Sequence, residues 1–166
     1  MAMAFAVNVF LAQAAFAVAE GDMAPDFTLP VLGGESDRSL SDSHGKVRYI
    51  DFWASWCPPC RVSIPEIIAL QAELAGDRFE VIAINVDERT EDALDFIERY
   101  SMNYVNLGDP QGNTAETYAL PGMPVSFVVD PEGRVTLVHV GFRRGDMEAI
   151  RAHIVELLGR LAEGDP

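Results

Sequence analysis

Two short apolar segments and the helical segment between them constrain the fold more than any other feature of this chain. Residues 47–53 (VRYIDFW) and 79–86 (FEVIAINV) are rich in β-branched and aromatic residues, which is typical of buried strands. Between them, residues 64–74 (IPEIIALQAEL) carry isoleucine and leucine at helical spacing. A strand, a helix and a second strand in this order indicate that both strands lie parallel in one sheet.

Two further helices are predicted after this unit. Residues 90–100 (TEDALDFIERY) have acidic residues in the first turn and Thr90 as a candidate N-cap. Residues 113–120 (NTAETYAL) place Asn113 and Glu116 at capping-box spacing, which predicts a short helix that begins there.

The last third of the chain predicts an antiparallel hairpin and a closing helix. Segments 124–130 (PVSFVVD) and 134–142 (RVTLVHVGF) are joined by a Pro-Glu-Gly turn, and 146–161 is amphipathic. Residues 21–46, rich in Gly, Pro, Ser and Asp, predict an irregular arm or hairpin with a Gly-Gly turn. The order βαβ, inserted αβα and ββα predicts an α/β fold.

Length, charge and cysteine content limit the functional classes. The 166 residues suffice for one domain with its own core, so a disulfide scaffold is not needed. Two cysteines are too few for a closed zinc site, and the three histidines lack metal-type spacing, so neither a metal nor a cofactor is predicted. The net charge of −14 argues against nucleic acid and anionic membrane surfaces as partners.

The first nineteen residues contain no charged side chain and end in Ala-rich sequence. Residues 1–19 therefore resemble the apolar core and cleavage site of a secretory signal, although the usual basic start is missing. An uncleaved membrane anchor and an apolar helix packed on the domain are the alternatives. We expect residues 20–166 to form a single domain, exported to the periplasm or another extracytoplasmic space.

Both cysteines lie in the segment DFWASWCPPCRVSIP, between a predicted strand and a predicted helix. Cys57 is expected at or next to the helix N-terminus, where unpaired N–H groups and the helix dipole favour a thiolate. Cys57 is therefore predicted to be the attacking sulfur, and Cys60 the more buried resolving thiol. Pro58 and Pro59 suit the first helical turn but lack N–H donors, which favours a reductant or isomerase over a strong oxidant.

Asp51 is a carboxylic acid in an otherwise apolar predicted strand. Period-2 alternation places it on the same face as Trp53, and burial there would raise its pKa. Such an acid beneath a dithiol can take the proton of the resolving thiol. The alternative is an inert Asp, hydrogen-bonded at the rim of the strand.

The segment IDFWASWCPPC is similar to the active-site motif of thioredoxin. Together with APDFTLPVLGG, SLSDSHGKV, VIAINVDE and PGMPVSF, it resembles the TlpA/ResA branch of exported thioredoxin-like proteins over nearly all residues after the N-terminal segment. The resemblance implies a thioredoxin-like fold. That fold has a central mixed β-sheet flanked by helices, an N-terminal extension and a central αβ insertion.

The resemblance also implies roles for particular residues. Met123 and Pro124 would form a cis peptide whose backbone lies against the sulfur of Cys57 and pairs with an extended substrate segment. Trp56, Pro58 and Met123 would surround that sulfur with apolar surface, whereas plain core packing is the alternative for Trp56.

One position departs from the branch. Several of its members carry a glutamate three residues after the second cysteine, where this chain has Ser63. The proton-accepting role would then rest on Asp51, and a narrow assignment to cytochrome c maturation is in doubt. Arg61 could hold the thiolate or be solvated, and Asp87 and Glu88 are interpreted as an acidic loop rather than a second base.

The leading functional prediction is an exported thiol–disulfide oxidoreductase that reduces protein disulfides. It would be a monomer re-reduced by a membrane electron donor. Two alternatives use the same thiols: a Cu(I) metallochaperone, since thiolates suit that ion, and a thiol peroxidase. The specific substrate and donor do not follow from the residues.

Overall fold

The computed structural model describes residues 17–164. Its strands are β1 (Thr28–Pro30), β2 (Asp37–Ser39), β3 (Val47–Trp53), β4 (Phe79–Asn85), β5 (Val105–Gly108), β6 (Val125–Val129) and β7 (Val135–Val140). Its α-helices are α1 (Cys60–Leu74), α2 (Thr90–Tyr100), α3 (Asn113–Thr117) and α4 (Asp146–Glu163), and a short 3-10 helix spans Leu40–Ser43.

Five strands form the central sheet in the order β5-β4-β3-β6-β7. β3 is parallel to β4, β4 is parallel to β5, and β6 is antiparallel to both of its neighbours. This mixed sheet confirms the predicted βαβ unit, the inserted αβα segment and the closing hairpin. The N-terminal extension adds a separate antiparallel pair, β1 and β2, with the predicted Gly-Gly segment in its connection.

The alternating side chains of β3 supply both faces of the sheet. Tyr49 and Trp53 pack into a cluster with α1, α2 and α4, whereas Ile50 and Phe52 pack on the opposite face against the N-terminal hairpin and the α3 region. All seven residues of β3 are buried because helices cover one side and the extension covers the other. Asp51 alternates with Tyr49 and Trp53, and it therefore lies on the α1 side.

Both predicted N-caps are wrong. Thr90 is the first residue of α2, with Arg89 as its N-cap, and Asn113 is the first residue of α3, with Gly112 as its N-cap. Gly112 has a φ of 72°, a left-handed conformation that glycine adopts readily. The side-chain cap of α3 comes from Asp109, farther back along the chain.

The Asp109 side chain performs the capping that the sequence pattern assigned to Asn113. Its Oδ2 accepts hydrogen bonds from the backbone N–H groups of Thr114 and Ala115, each at 3.0 Å. These are N–H groups of the first helical turn, which have no partner within a helix. The helix also ends at Thr117, three residues earlier than the predicted end at 120.

The predicted export segment lies almost entirely outside the described residues, which begin at Ala17. The chain joins the domain through Val18, whose N–H donates to the carbonyl of Tyr118 at 3.4 Å. Within residues 17–164, none of the helices combines the length and apolarity needed to cross a membrane. The division between residues 1–19 and 20–166 stays a prediction.

Candidate active site

The two cysteines form a disulfide bond at the start of α1. Their Cα atoms are 5.3 Å apart, and Cys60 is the first residue of the helix. Pro59 is the N-cap with φ −69°, a value that its ring imposes and that suits helical backbone. Cys57 therefore lies next to the helix N-terminus, as predicted, whereas Pro58 precedes the helix and Pro59 caps it, so neither proline lies in the first helical turn.

The helix N-terminus still acts on Cys57. The backbone N–H of Cys60 donates to the Cys57 sulfur, with 3.3 Å between the nitrogen and the sulfur. A donated hydrogen bond at the positive end of a helix stabilises a negatively charged sulfur. Cys57 is 3% exposed and Cys60 is fully buried, which confirms the predicted order of burial.

A groove of about 390 Å³ opens beside the disulfide. It is lined by Trp56, Cys57, Val86, Ala115, Leu120, Gly122 and Met123. Among the cysteines, only Cys57 lines it, so an approaching substrate sulfur would meet Cys57 first. The groove is mainly apolar, which suits an uncharged segment of a partner protein.

The structure brings together some of the predicted apolar residues and separates others. Trp56 and Met123 line the groove, and Trp56 is 61% exposed, so the core-packing interpretation of Trp56 is wrong. The Met123–Pro124 peptide bond is cis. Pro58 is exposed and Pro124 is buried, and neither belongs to the lining of the groove.

Four groove residues were not predicted at the sequence level. Gly122 lies within the PGMPVSF segment already noted, whereas Val86 follows β4, Ala115 lies on α3, and Leu120 lies after α3. No local pattern connects these last three positions, because only the folding of the inserted αβα segment brings them beside Cys57. A topology derived from the thioredoxin motif is the signal that could have identified them.

Asp51 lies in the interior of the sheet, not at its rim. It is 1% exposed and is paired in register with Ala83 on one side and Ser126 on the other. Its Oδ2 has no hydrogen-bond partner within residues 17–164. Burial raises the pKa of Asp51 well above its ordinary value, as the strand pattern predicted.

Two buried tyrosines add polar groups to the region of Asp51. The hydroxyl groups of Tyr49 and Tyr104 lack hydrogen-bond partners among the described residues. Burial raises the pKa of both tyrosines, and the negative charge of Asp51 raises it further. The two-residue spacing between Tyr49 and Asp51 could have identified the first tyrosine, whereas Tyr104 reaches this region only through the fold.

Asp87 lies in the loop that follows β4, as predicted, but its side chain is buried. Asp87 is 3% exposed, and its carboxylate accepts hydrogen bonds from the backbone and side chain of Ser55 and from Asn85. Arg61 donates to the carbonyl of Ser55 at 3.1 Å, which gives this side chain a structural contact in the active-site loop. Glu88 is exposed, as expected for a loop residue.

A cysteine pair at the start of a helix, beside a cis-proline loop on a mixed sheet of five strands, defines the thioredoxin-like class of proteins. Similarity to known families, proteins and structures agrees with this class. The chain belongs to the AhpC/TSA family, whose model matches residues 20–138.

The names of similar proteins refer to thioredoxin or to thiol–disulfide exchange. It is 35% identical to the thioredoxin-like protein YneN of Bacillus subtilis over 75% of this chain and 73% of that one. It is 35% identical to the thiol-disulfide oxidoreductase ResA of Oceanobacillus iheyensis over 69% of this chain and 62% of that one. The crystal structure of a Chlorobium tepidum protein assigned as a thiol:disulfide interchange protein DsbE has 43% sequence identity and a TM-score of 0.81, covering 86% of this chain and 99% of that one.

Proposed function

We propose that this protein is a thiol–disulfide oxidoreductase that reduces disulfide bonds of other proteins through Cys57 and Cys60. The observation that carries the proposal is the position of the pair: Cys57 lines the groove and accepts a hydrogen bond from the helix N-terminus, while Cys60 is fully buried behind it. One sulfur can therefore meet a substrate while the other stays protected until it is needed.

The reaction begins with the reduced protein. The Cys57 thiolate attacks one sulfur of a substrate disulfide, a mixed disulfide forms, and the second substrate sulfur leaves as a thiolate that takes up a proton. The Cys60 thiol then loses its proton and attacks the Cys57 sulfur. This forms the Cys57–Cys60 disulfide and releases the first substrate sulfur, so two electrons pass from the protein to the substrate.

Asp51 is proposed to exchange the proton of Cys60. Its place beneath α1 on the same face of the sheet as the buried thiol supports this role. A carboxyl group with a raised pKa holds its proton more tightly than an exposed Asp, so its ionised form is the stronger base. With Ser63 in the place of the glutamate that several TlpA/ResA-like proteins carry, Asp51 is our candidate for the acceptor.

The substrate is proposed to be a protein segment with apolar residues next to its disulfide. Trp56 and Met123 would contact that segment in the groove, and Pro58 and Pro124 would border the path to the cysteine pair. Charge supports a protein partner over nucleic acid, since the chain carries 26 acidic and 12 basic residues.

The cellular setting is also part of the proposal. An exported monomer that works in the periplasm needs electrons from a donor, and a membrane electron carrier could supply them. The names of the ResA and DsbE relatives support the chemistry, and the apolar composition of residues 1–19 supports export or a membrane anchor.

Trapping the mixed disulfide tests the proposed chemistry. The reduced variants Cys60→Ser and Cys57→Ser are mixed with oxidised glutathione, and each adduct is measured by mass spectrometry. We expect Cys60→Ser to accumulate the adduct on Cys57, because the resolving thiol is missing. Cys57→Ser should react far more slowly, since Cys60 is buried.

The parent protein supplies the second half of the test. It should accelerate the reduction of insulin by dithiothreitol, whereas Cys57→Ser should not. Equal adduct formation by the two variants, or a parent that leaves the insulin rate unchanged, would contradict the proposal.

A further inference from the structure

Hydrogen bonds to the buried carboxylate of Asp87, just after β4, hold the loop that carries the cysteine pair. Asp87 accepts hydrogen bonds from the backbone N–H of Ser55 at 3.0 Å and from the Ser55 hydroxyl at 2.9 Å. Asn85 donates a third hydrogen bond to the carboxylate, at 2.7 Å. Charge-assisted hydrogen bonds of this kind are stronger than those between neutral groups.

Asp87 is itself fixed to the sheet. Its backbone N–H donates to the side chain of Asn85 at 3.0 Å, and the N–H of Val86 donates to the carbonyl of Trp53 at 3.1 Å. The carbonyl of Asn85 accepts from the N–H of Asp109 at 2.8 Å. The carboxylate therefore transmits the rigidity of the central strands to the loop.

Ser55 is held from both sides. Its N–H and hydroxyl bind Asp87, and its carbonyl accepts a hydrogen bond from Arg61 on α1 at 3.1 Å. Ser55 lies two residues before Cys57, and Arg61 lies one residue after Cys60. Ser55 therefore links the chain just before the cysteine pair to the sheet through Asp87, and to the helix just after the pair through Arg61.

We propose that Asp87 is a positioning residue that holds Cys57 within bonding reach of Cys60. In the disulfide form the covalent bond also fixes this distance, but in the dithiol form only noncovalent contacts, the Asp87–Ser55 contacts among them, hold the two cysteines together. Holding two reacting groups together raises their effective concentration and favours the bond between them. The inference rests on the proposed function, because it concerns the same dithiol–disulfide equilibrium.

The equilibrium with glutathione measures this effect. Reduced protein and oxidised glutathione exchange two electrons to give the protein disulfide and two molecules of reduced glutathione. Loss of the contacts in Asp87→Ala should lower the equilibrium constant for disulfide formation by about tenfold. A tenfold change corresponds to a potential about 30 mV less negative for this two-electron couple.

Three further variants separate anchoring from charge. Asp92→Asn removes a carboxylate charge from the cavity that Asp87, Trp56 and Asp92 line together. Among the described residues, Asp92 makes no hydrogen bond to Ser55 and pairs with Arg89 instead. The equilibrium constant for disulfide formation in Asp92→Asn should therefore stay within about twofold of the parent's. Asp87→Asn keeps a carbonyl oxygen that can accept from Ser55, and Ser55→Ala loses only the hydroxyl contact. Both should lie between the parent and Asp87→Ala.

Circular dichroism and thermal unfolding establish whether each variant is folded. A folded Asp87→Ala with a parent-like constant would overturn the inference, as would an equal shift in Asp92→Asn. If Asp87→Ala does not fold, Asp87→Asn and Ser55→Ala decide, and parent-like constants in both overturn it. A parent that forms no reversible disulfide contradicts the proposed function, whereas a normal parent with unshifted variants contradicts only the role of Asp87.

Discussion

At the scale of single residues, the active site combines a sulfur in the wall of the groove with a buried acid. Cys57 lines the groove, and Asp51 lies under α1 at 1% exposure. An ionised carboxylate is costly in such a place, so the folded protein favours the protonated form. The same burial that makes Asp51 a candidate proton acceptor therefore links the stability of the protein to pH.

Replacing Asp51 with Asn should stabilise the protein above the ordinary pKa of aspartate, about 3.8. The folded-state pKa is raised, so the contribution of Asp51 to stability is complete below the unfolded pKa and is lost as pH rises through the folded pKa. Asn does not ionise, and the gain in free energy of unfolding should grow with pH and then level off. Urea unfolding of both oxidised proteins at several pH values measures it.

A matched control and a kinetic measurement complete this test. Asp95→Asn, on the exposed side of α2, should change the free energy of unfolding by less than about 0.5 kcal/mol at each pH. If Asp51 accepts the proton of Cys60, Asp51→Asn should also slow the release of a mixed disulfide by about 100-fold. A pH-independent stability difference would contradict the burial argument, and an unchanged release rate would contradict the proton role.

At the scale of the elements, the short helix α3 shows where local sequence signals fail. The pattern at Asn113 and Glu116 predicted a capping box, but the cap comes from Asp109, which lies four residues before the helix. A turn between the two closes with a hydrogen bond from the N–H of Gly112 to the carbonyl of Asp109 at 2.9 Å, and Gly112 adopts a positive φ. Since Ala115 lines the groove, this cap also shapes one wall of the site.

Asp109→Ala should lower the free energy of unfolding by about 1 to 2 kcal/mol, because two N–H groups of α3 lose their acceptor. Asn113→Ala should have a much smaller effect, since its side chain is exposed and makes no helix cap. Urea unfolding of the two variants beside the parent measures the difference. A larger loss in Asn113→Ala than in Asp109→Ala would show that the sequence pattern, not the structure, identifies the cap.

At the scale of the whole molecule, the sheet and the cysteine pair were predictable and the groove was not. The strands β3 and β4 and the helix α1 have strong periodic patterns, and the cysteine motif is short and local. The groove joins residues from 56 to 123, and Asp87 contacts Ser55 across 32 positions. Such contacts depend on the packing of several elements, so local patterns do not reveal them.

The exposed Trp56 should matter for protein substrates in particular. Trp56→Ala removes a large apolar side chain from the groove rim and should raise the KM for insulin by about tenfold. The rate with a small substrate such as hydroxyethyl disulfide should change far less, because it has little surface to bury. Val155→Ala, at an exposed apolar position on α4, is the control and should leave both rates unchanged. Equal losses for the two substrates would contradict a binding role for Trp56.

The central claim is that Cys57 and Cys60 act as a reductant, and a redox titration of this pair tests it most directly. The oxidised protein is equilibrated in defined thiol buffers, and the fluorescence of the nearby Trp53 and Trp56 reports the disulfide content. The account predicts a reversible two-electron transition near the potential of thioredoxin, about −270 mV. A value near that of strong periplasmic oxidants, about −120 mV, would contradict the direction of electron flow. The absence of a reversible disulfide would favour Cu(I) binding by the two thiolates instead.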